Sequence, residues 1–277
     1  MRKKIPFWAT CKFLASECSG TSEVEMVGTF TPSITAVIIA PSDTPKPTKT
    51  RIPPSSTITP SPTLTAIPQS IANPDIPSEQ VQVSYEDRVI RGTLLGDGKT
   101  VVILAPIFGT TRAVWMSFAK HLASLGYSAL AFDFPGYGSS TGDFSWSKIG
   151  SDVSALISYF QQEQGFESVV CVGASIGGSV CFEAALGATD LSGLVILSAP
   201  LEPPPKELLA SLTMPKLMII GTLPDEGHAD VEAPMREIFS GMPEPKQLET
   251  VQLRGSDLVP VEDDVRDLLV AFLEALK

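Results

Sequence analysis

The sequence predicts an α/β domain over residues 78–277: a doubly wound, mostly parallel sheet with helices on both faces. Short, continuously apolar runs recur along this part of the chain, as is typical of strands that are buried on both faces. Helical patterns separate most of these runs, as crossover connections between parallel strands require. Hydrophobic residues make up 43% of the chain and charged residues 18%, which is enough to build a buried core.

The predicted elements follow one another in a regular order. Alternating patterns at 81–86 and 88–95 predict an antiparallel pair of strands. Further strands are predicted at 101–105, 128–133, 168–172, 194–198, 216–221 and 247–253. Helices are predicted at 115–125, 146–164, directly after residue 175, at 231–240 and at 261–276, with room for one short helix within 199–215.

A Pro/Ser/Thr-rich segment precedes this domain, and about two thirds of residues 41–70 are of these three types. Such a composition has too few large apolar side chains to offset the entropy of ordering, and its prolines favour extended conformations. We therefore predict a disordered linker at 23–77. It is either a stalk between an anchor and an extracytoplasmic domain or a disordered tail without such a role.

Residues 1–22 combine features of an export signal with features that contradict one. A basic cluster at residues 2–4 is typical of a signal peptide, but Pro6 and Lys12 interrupt the apolar run. Leu14 lies four residues before Cys18, one more than the spacing of a lipoprotein signal. We predict a degenerate export or lipoprotein signal that gives a membrane tether and a bacterial-type, extracytoplasmic or cell-envelope location. If the signal is non-functional, the location is cytoplasmic.

Charge and cysteine content exclude several classes of function. The net charge of −11 and the pI near 4.7 lack the basic footprint that nucleic-acid binding needs, so we expect no nucleic-acid partner. The four cysteines contain no CxxC pair, and the sequence predicts no metal site and no cofactor. Cys171 and Cys181 are interpreted as small, buried, apolar side chains. The apolar stretch 34–40 is too short to cross a bilayer, so no transmembrane helix is predicted.

The stretch GASIGGS, residues 173–179, places Ser175 between a predicted strand and a predicted helix. A GxSxG string alone is weak, but in this context small flanking residues let the backbone turn sharply and present the hydroxyl at the carboxyl edge of the sheet. The following helix start favours developing negative charge there. Ser175 is therefore the candidate nucleophile.

With this turn, the chain resembles the α/β-hydrolase family over nearly all of residues 80–277. LAPIFGTTRAVW is similar to the loop after that family's third strand, and GYSALAFDFPGYGSSTG is similar to its fourth strand and the Asp-x-x-Gly-x-Gly-x-Ser turn that follows. The resemblance implies that Ser175 attacks an acyl carbonyl. It also implies that backbone N–H groups of Ile176 and of Ile107 or Phe108 hold the oxyanion.

The catalytic acid and the oxyanion loop depart from the family pattern. Pro106 and Ile107 stand where most members have His-Gly. The acid is expected three residues after the glycine that ends strand 216–221, and that position is Pro224. Asp225 or Glu226 serves as the acid if the loop is shifted; otherwise the two carboxylates form a solvated acidic loop.

The position of the catalytic histidine departs further from the family pattern, because Leu258 stands where the family's imidazole is expected. Without a base, a serine hydroxyl is a poor nucleophile at neutral pH. The chain has two histidines: His121 falls in a predicted helix and is interpreted as a surface or packing residue. His228 lies in a loop at the same sheet edge as Ser175, where it is either a relocated base or a solvated loop residue.

Two functions remain open. The first is a serine hydrolase of small esters or related acyl compounds, built from Ser175, Asp225 and His228. The second is a non-catalytic protein that binds a ligand or an unidentified cell-envelope partner. Leu258 leads us to expect impaired or lost catalysis. Only about 17 residues bridge the strands at 194–198 and 216–221, so we expect no large lid and an open site for small acyl groups.

Overall fold

The computed structural model describes residues 76–162, 165–187, 190–224, 230–258 and 263–277, with the side chains of 256 and 257 excepted. The predicted signal and the linker up to residue 75 lie outside these residues. The same holds for the candidate acid Asp225, its alternative Glu226 and the candidate base His228.

Eight strands form one sheet: β1 Ser78–Tyr85, β2 Arg88–Leu95, β3 Thr100–Ala105, β4 Ser128–Asp133, β5 Ser168–Ala174, β6 Gly193–Leu197, β7 Lys216–Leu223 and β8 Lys246–Arg254. Their order across the sheet is β1-β2-β4-β3-β5-β6-β7-β8. β2 is antiparallel to both of its neighbours, and all other pairs are parallel. The predicted doubly wound, mostly parallel sheet is thereby confirmed.

Among the described residues, five helices lie between strands and a sixth follows β8: α1 Met116–Ser124, α2 Ile149–Gln162, α3 Ile176–Leu186, α4 Lys206–Leu209, α5 Glu232–Gly241 and α6 Asp263–Glu274. Short 3-10 turns precede α1 at Arg112–Trp115 and follow β8 at Gly255–Leu258. None of the helices in the described ranges is both long and apolar enough to cross a membrane.

Several element boundaries differ from the sequence prediction by two or three residues, and two of these differences have a local cause. α2 begins at Ile149 rather than at 146, because the Ser145 carbonyl accepts hydrogen bonds from the N–H groups of Lys148 and Ile149 in a turn before the helix. Trp146 therefore lies in a loop. β7 extends past Gly221 to Leu223, since it stays paired with β8.

The sheet separates two hydrophobic cores, which explains why its strands are apolar at consecutive positions. Ile103 of β3 faces the core that α2, α3 and α5 cover. Its neighbour Leu104 faces the core that α1 and α6 cover. Because successive side chains of a strand point to opposite faces, a strand between two covered faces needs an uninterrupted apolar run.

Cys171 of β5 and Cys181 of α3 form a disulfide, which corrects their interpretation as two separate apolar side chains. Both are fully buried, as expected, but α3 packs back along β5 and brings their Cα atoms to 5.8 Å. The bond closes a loop with a sequence separation of 10 residues, and this loop contains Ser175.

We expect the double variant Cys171→Ala/Cys181→Ala to lower the free energy of unfolding by about 2–3 kcal/mol, because the crosslink restricts the unfolded chain. Urea titration followed by circular dichroism measures this difference. In dithiothreitol the difference should shrink, since the unfolded wild type is then reduced as well. Equal stabilities without reductant would contradict the crosslink.

Glu183 is a half-buried carboxyl group on α3, the helix behind Ser175, and packs against the first turn of α2 at Gly150. Burial raises its pKa from 4.5 to about 7. The folded protein therefore keeps this proton at pH values where the unfolded chain has released it. This group's contribution to stability is fully present below about pH 4.5 and is lost as the pH rises through 7.

We expect Glu183→Gln to remove this contribution to the pH dependence, so that its stability relative to wild type increases from pH 5 to pH 8. Because the group is partly exposed, the expected change is about 1–2 kcal/mol. Urea titrations of both proteins at the two pH values give the difference. A stability difference that is the same at pH 5 and pH 8 would contradict the raised pKa.

Candidate active site at the carboxyl edge of the sheet

Ser175 lies at the sharp turn between β5 and α3 with φ 50° and ψ −127°. Positive φ is uncommon for any residue with a side chain and is characteristic of sites where surrounding structure holds the backbone under strain. Here the chain passes close to itself: a Cβ atom on Gly173 would overlap the backbone of Gly177. The half-buried serine thus stands at the carboxyl edge of the sheet, as its flanking glycines predict.

The start of α3 supplies backbone amides beside this serine. Ile176 is the first residue of the helix, and the Ser175 carbonyl accepts the first helical hydrogen bond from the N–H of Ser179, at 3.1 Å. The first amides of a helix have no acceptor within the helix, and the helix dipole favours negative charge near them. The Ile176 amide therefore lies where an oxyanion formed at Ser175 could be stabilised.

The loop after β3 meets the same turn from the neighbouring strand. Ala105 of β3 lies opposite Gly173 of β5, so Ile107 and Phe108 follow β3 beside Ser175. Contact is direct, because a Cβ atom on Gly177 would overlap Ala105 O and lie 2.7 Å from Pro106 O. The structure thus brings together Ser175, Ile176 and the Ile107–Phe108 segment.

Hydrogen bonds fix the course of this loop. The buried Trp115 side chain donates from Nε1 to Ala105 O at 2.9 Å, which holds the end of β3. Thr110 donates to Ile107 O from its hydroxyl at 2.8 Å and from its amide at 3.3 Å, which closes a tight turn around Phe108. The Phe108 side chain is 48% exposed.

Asp133, at the end of β4, joins two loops of the site, a role that was not predicted from the sequence. Its buried carboxylate accepts the backbone N–H of Arg112 at 2.8 Å and that of Ser139 at 2.9 Å. Its own carbonyl accepts the Ser140 hydroxyl at 2.7 Å. Gly138 lies against the carboxylate with φ +52°, so a side chain there would overlap it. The Asp-x-x-Gly-x-Gly-x-Ser motif could have indicated part of this role, because Gly138, Ser139 and Ser140 lie five to seven residues after Asp133; Arg112 lies outside the motif.

Among the described residues, none of the acids and bases predicted from the sequence lies next to Ser175. The segment 225–229, which follows β7, lies outside the described residues, and it contains Asp225, Glu226 and His228. His121 lies near the end of α1, which leads from the carboxyl end of β3 back to the amino end of β4. Its ring packs 6.5 Å from that of Phe118.

Leu258 ends the 3-10 turn that follows β8, and its side chain is fully buried in the core beneath α1 and α6.

The pairing of β7 with β8 shifts register near its end. Gly221 of β7 pairs with Val251 of β8, but Leu223, two residues further along β7, pairs with Arg254, three residues further along β8. The extra residue therefore belongs to β8.

Among the described residues, no metal-binding cluster lies beside Ser175, and a surface groove lies at the opposite edge of the sheet. No group of three or more His, Cys, Asp or Glu side chains with metal-binding geometry occurs among the residues described. A surface groove of about 370 Å³ is lined by Phe166, Val169 and Ser192, among others. These residues lie at the amino ends of β5 and β6, the edge of the sheet opposite Ser175.

We expect Asp133→Ala to lower the free energy of unfolding by about 2–4 kcal/mol, because it leaves the amides of Arg112 and Ser139 without their acceptor. Urea titration measures the loss. The exposed Asp97→Ala is the matched control and should change stability by no more than about 0.5 kcal/mol. A similar, small effect of both substitutions would contradict the role of Asp133.

Solved structures with the same architecture include several hydrolases. The Pyrococcus furiosus esterase superimposes with a TM-score of 0.62 at 16% identity, over 72% of this chain and 91% of the esterase. A CIB-like hydrolase from Thermoplasma acidophilum gives 0.61 at 16% identity, over 72% and 98%. The dienelactone hydrolase from Anabaena variabilis gives 0.57 at 16% identity, over 73% and 96%. At such low identity, these likenesses show the fold alone.

A search of the curated proteins finds no match to the sequence. The sequence profile of the alpha/beta hydrolase family matches residues 101–276, which is well over half of the chain. The matched part begins in β3 and includes both loops of the site, the Ser175 turn and the segment after β7. This match supports a hydrolase-type function and agrees with the resemblance seen in the motifs. The chain therefore belongs to the alpha/beta hydrolase family.

Proposed function

We propose that this chain is a serine hydrolase of small esters or related acyl compounds, with Ser175 as its nucleophile. The observation that carries the proposal is the backbone of Ser175, which is held at φ 50° directly before the amides of α3. A strained, non-glycine residue at such a place is characteristic of functional sites. Family membership supports the same reaction class.

The reaction would pass through an acyl-enzyme. Ser175 Oγ attacks the acyl carbonyl and gives its proton to a base. The carbonyl oxygen becomes an oxyanion that accepts hydrogen bonds from the N–H of Ile176 and of Ile107 or Phe108. Collapse of this intermediate expels the alcohol, which takes the proton back from the base. Water, deprotonated by the same base, then attacks the acyl group and releases the acid and free Ser175.

His228 is our candidate for the base, with Asp225 or Glu226 as the acid that orients it. β5, β6 and β7 are neighbours, so the carboxyl end of β7 lies two strand spacings, about 10 Å, from that of β5. A segment that leaves β7 after Leu223 starts at the same edge as the serine. His228, five residues further along, is within chain reach of Ser175.

The segment between β6 and β7 supports small or exposed substrates. Residues 198–215 contain a single helix, α4, of four residues. Its Leu209 is buried in the core on the α5 side of the sheet. A segment of this size leaves little chain to cover the serine, so the site would be open to solvent.

A non-catalytic binding protein is the second candidate, and Leu258 favours it. This residue occupies the position where the family's histidine is expected, and its side chain lies in the core. If no other group serves as the base, the fold would retain its serine turn and bind a small acyl ligand without turnover.

We also propose an extracytoplasmic location, with a membrane tether through the N-terminal segment. The disulfide between Cys171 and Cys181 supports this location, because disulfides persist in oxidising compartments and are rare in the cytoplasm.

Hydrolysis of p-nitrophenyl acetate and butyrate by the purified protein tests the function. We expect Ser175→Ala to reduce kcat by at least about 1,000-fold, because no covalent intermediate can form. His228→Ala should reduce it to a similar extent if His228 is the base. Circular dichroism verifies that each variant is folded.

His121→Ala is the matched control for His228→Ala and should keep full activity. Loss of activity in Ser175→Ala but not in His228→Ala would preserve the hydrolase and exclude the proposed base. A wild-type rate equal to that of folded Ser175→Ala would contradict catalysis and favour the binding protein.

A further inference from the structure

Four aromatic side chains form a cluster beside the candidate nucleophile: Phe108, Tyr137, Phe144 and Trp146. Their rings contact one another at the carboxyl edge of the sheet. Phe108 lies 4.9 Å from Trp146, 5.4 Å from Phe144 and 6.1 Å from Tyr137, measured between ring centroids. Phe144 in turn lies 4.9 Å from Trp146 and 5.4 Å from Tyr137. Three of the four side chains come from the loop after β4 and one from the loop after β3.

Two rings of this aromatic cluster face solvent, and two support them. Tyr137 and Phe144 are half-buried and pack against the hydrophobic core. Phe108 and Trp146 are 48% and 43% exposed, although each is a large apolar side chain. They are the two aromatic residues among the five large hydrophobic side chains that are exposed in the described residues.

The position of the cluster links it to Ser175. Ala105 of β3 pairs with Gly173 of β5, and along the chain Phe108 and Ser175 lie three and two residues beyond this pair, respectively. Adjacent strands lie about 4.8 Å apart. The Phe108 backbone therefore lies close to the Ser175 turn, and Trp146 is the nearest of the three rings that contact the Phe108 ring.

Hydrogen bonds hold both loops that carry the exposed rings. Asp133 binds the amides of Arg112 and Ser139, one from each loop. Thr110 closes the turn at Phe108, and Ser145 O accepts two amides directly after Trp146. The rings are thus presented by fixed backbone, which reduces the entropy lost when a ligand binds.

We propose that Phe108 and Trp146 form a stacking platform for substrates that carry a flat aromatic ring in the acyl group. The inference rests on the proposed hydrolase function for its substrate, but not for the binding itself. The two rings are stacked, with centroids 4.9 Å apart and planes inclined by 32°, and the side chains remain 48% and 43% exposed, so the stack leaves aromatic surface open to a third ring. A planar ring gains contact over its whole face and favourable stacking geometry on such a surface. A flexible alkyl chain on the open platform loses rotamer freedom without an enclosing groove.

Binding of two matched, neutral esters to Ser175→Ala tests the platform without turnover. Methyl 3-phenylpropionate and methyl 3-cyclohexylpropionate have the same carbon skeleton, but only the first has a flat ring. We expect the phenyl ester to bind about 3- to 10-fold more tightly, as measured by calorimetry or by ligand-observed NMR. If binding depended only on burial of apolar surface, the more apolar cyclohexyl ester would bind equally tightly or more tightly. This result would overturn the proposal.

Variants in the Ser175→Ala background locate the binding. Adding Trp146→Ala should abolish the preference for the phenyl ester, and adding Phe108→Leu, which keeps the backbone N–H and an apolar side chain, should reduce it. Leu125→Ala is the matched control, because Leu125 is 39% exposed but lies after α1, at the opposite edge of the sheet. A preference that survives both platform variants would place the binding elsewhere and overturn the proposal.

Turnover by the wild-type protein separates this inference from the proposed function. Release of phenylpropionate faster than cyclohexylpropionate supports both. Selective binding in Ser175→Ala together with no hydrolysis by wild type would keep the platform and reject the hydrolase. Hydrolysis without selectivity for the flat ring would keep the hydrolase and reject the platform.

Discussion

The strained backbone at Ser175 is the constraint on which the rest of the site depends. A residue with a side chain stays at φ 50° only if the structure on both sides is rigid. Before Ser175 in the chain, β5 lies within the sheet and both of its faces are covered. After Ser175, α3 buries most of its residues. The disulfide from Cys171 to Cys181 joins this strand to this helix. Gly173 passes close to the backbone of Gly177, and Gly177 passes close to Ala105 O, so neither glycine position has room for a larger residue.

The position of α3 then determines what surrounds the serine. Its first turn touches the end of β3 at Ala105 and Pro106, and this contact places the Ile107–Phe108 segment beside the serine turn. Asp133 ties the same loop to the loop after β4. Both loops and the aromatic cluster are therefore held in place before any ligand arrives, as a preorganised site requires.

Much of the fold could be predicted from the sequence, because strands buried on both faces leave an unmistakable apolar run and the glycines around Ser175 mark a turn. The crosslink could not, since Cys171 and Cys181 become neighbours only when α3 folds back on β5. The start of α2 was misplaced because Trp146 continues an apolar pattern, whereas backbone hydrogen bonds to Ser145 set the boundary. The contribution of Asp133 was missed because its partners are backbone amides, which sequence does not distinguish.

Labelling with a fluorophosphonate probe, followed by mass spectrometry of the digested protein, tests most directly whether the Ser175 turn holds an activated nucleophile. The probe phosphonylates a serine hydroxyl only where a base and an oxyanion site act together. We expect a single adduct on the peptide that contains Ser175, and a strongly reduced yield in His228→Ala. An unlabelled Ser175 in the folded protein, or labelling of another serine instead, would contradict a catalytic role for this turn.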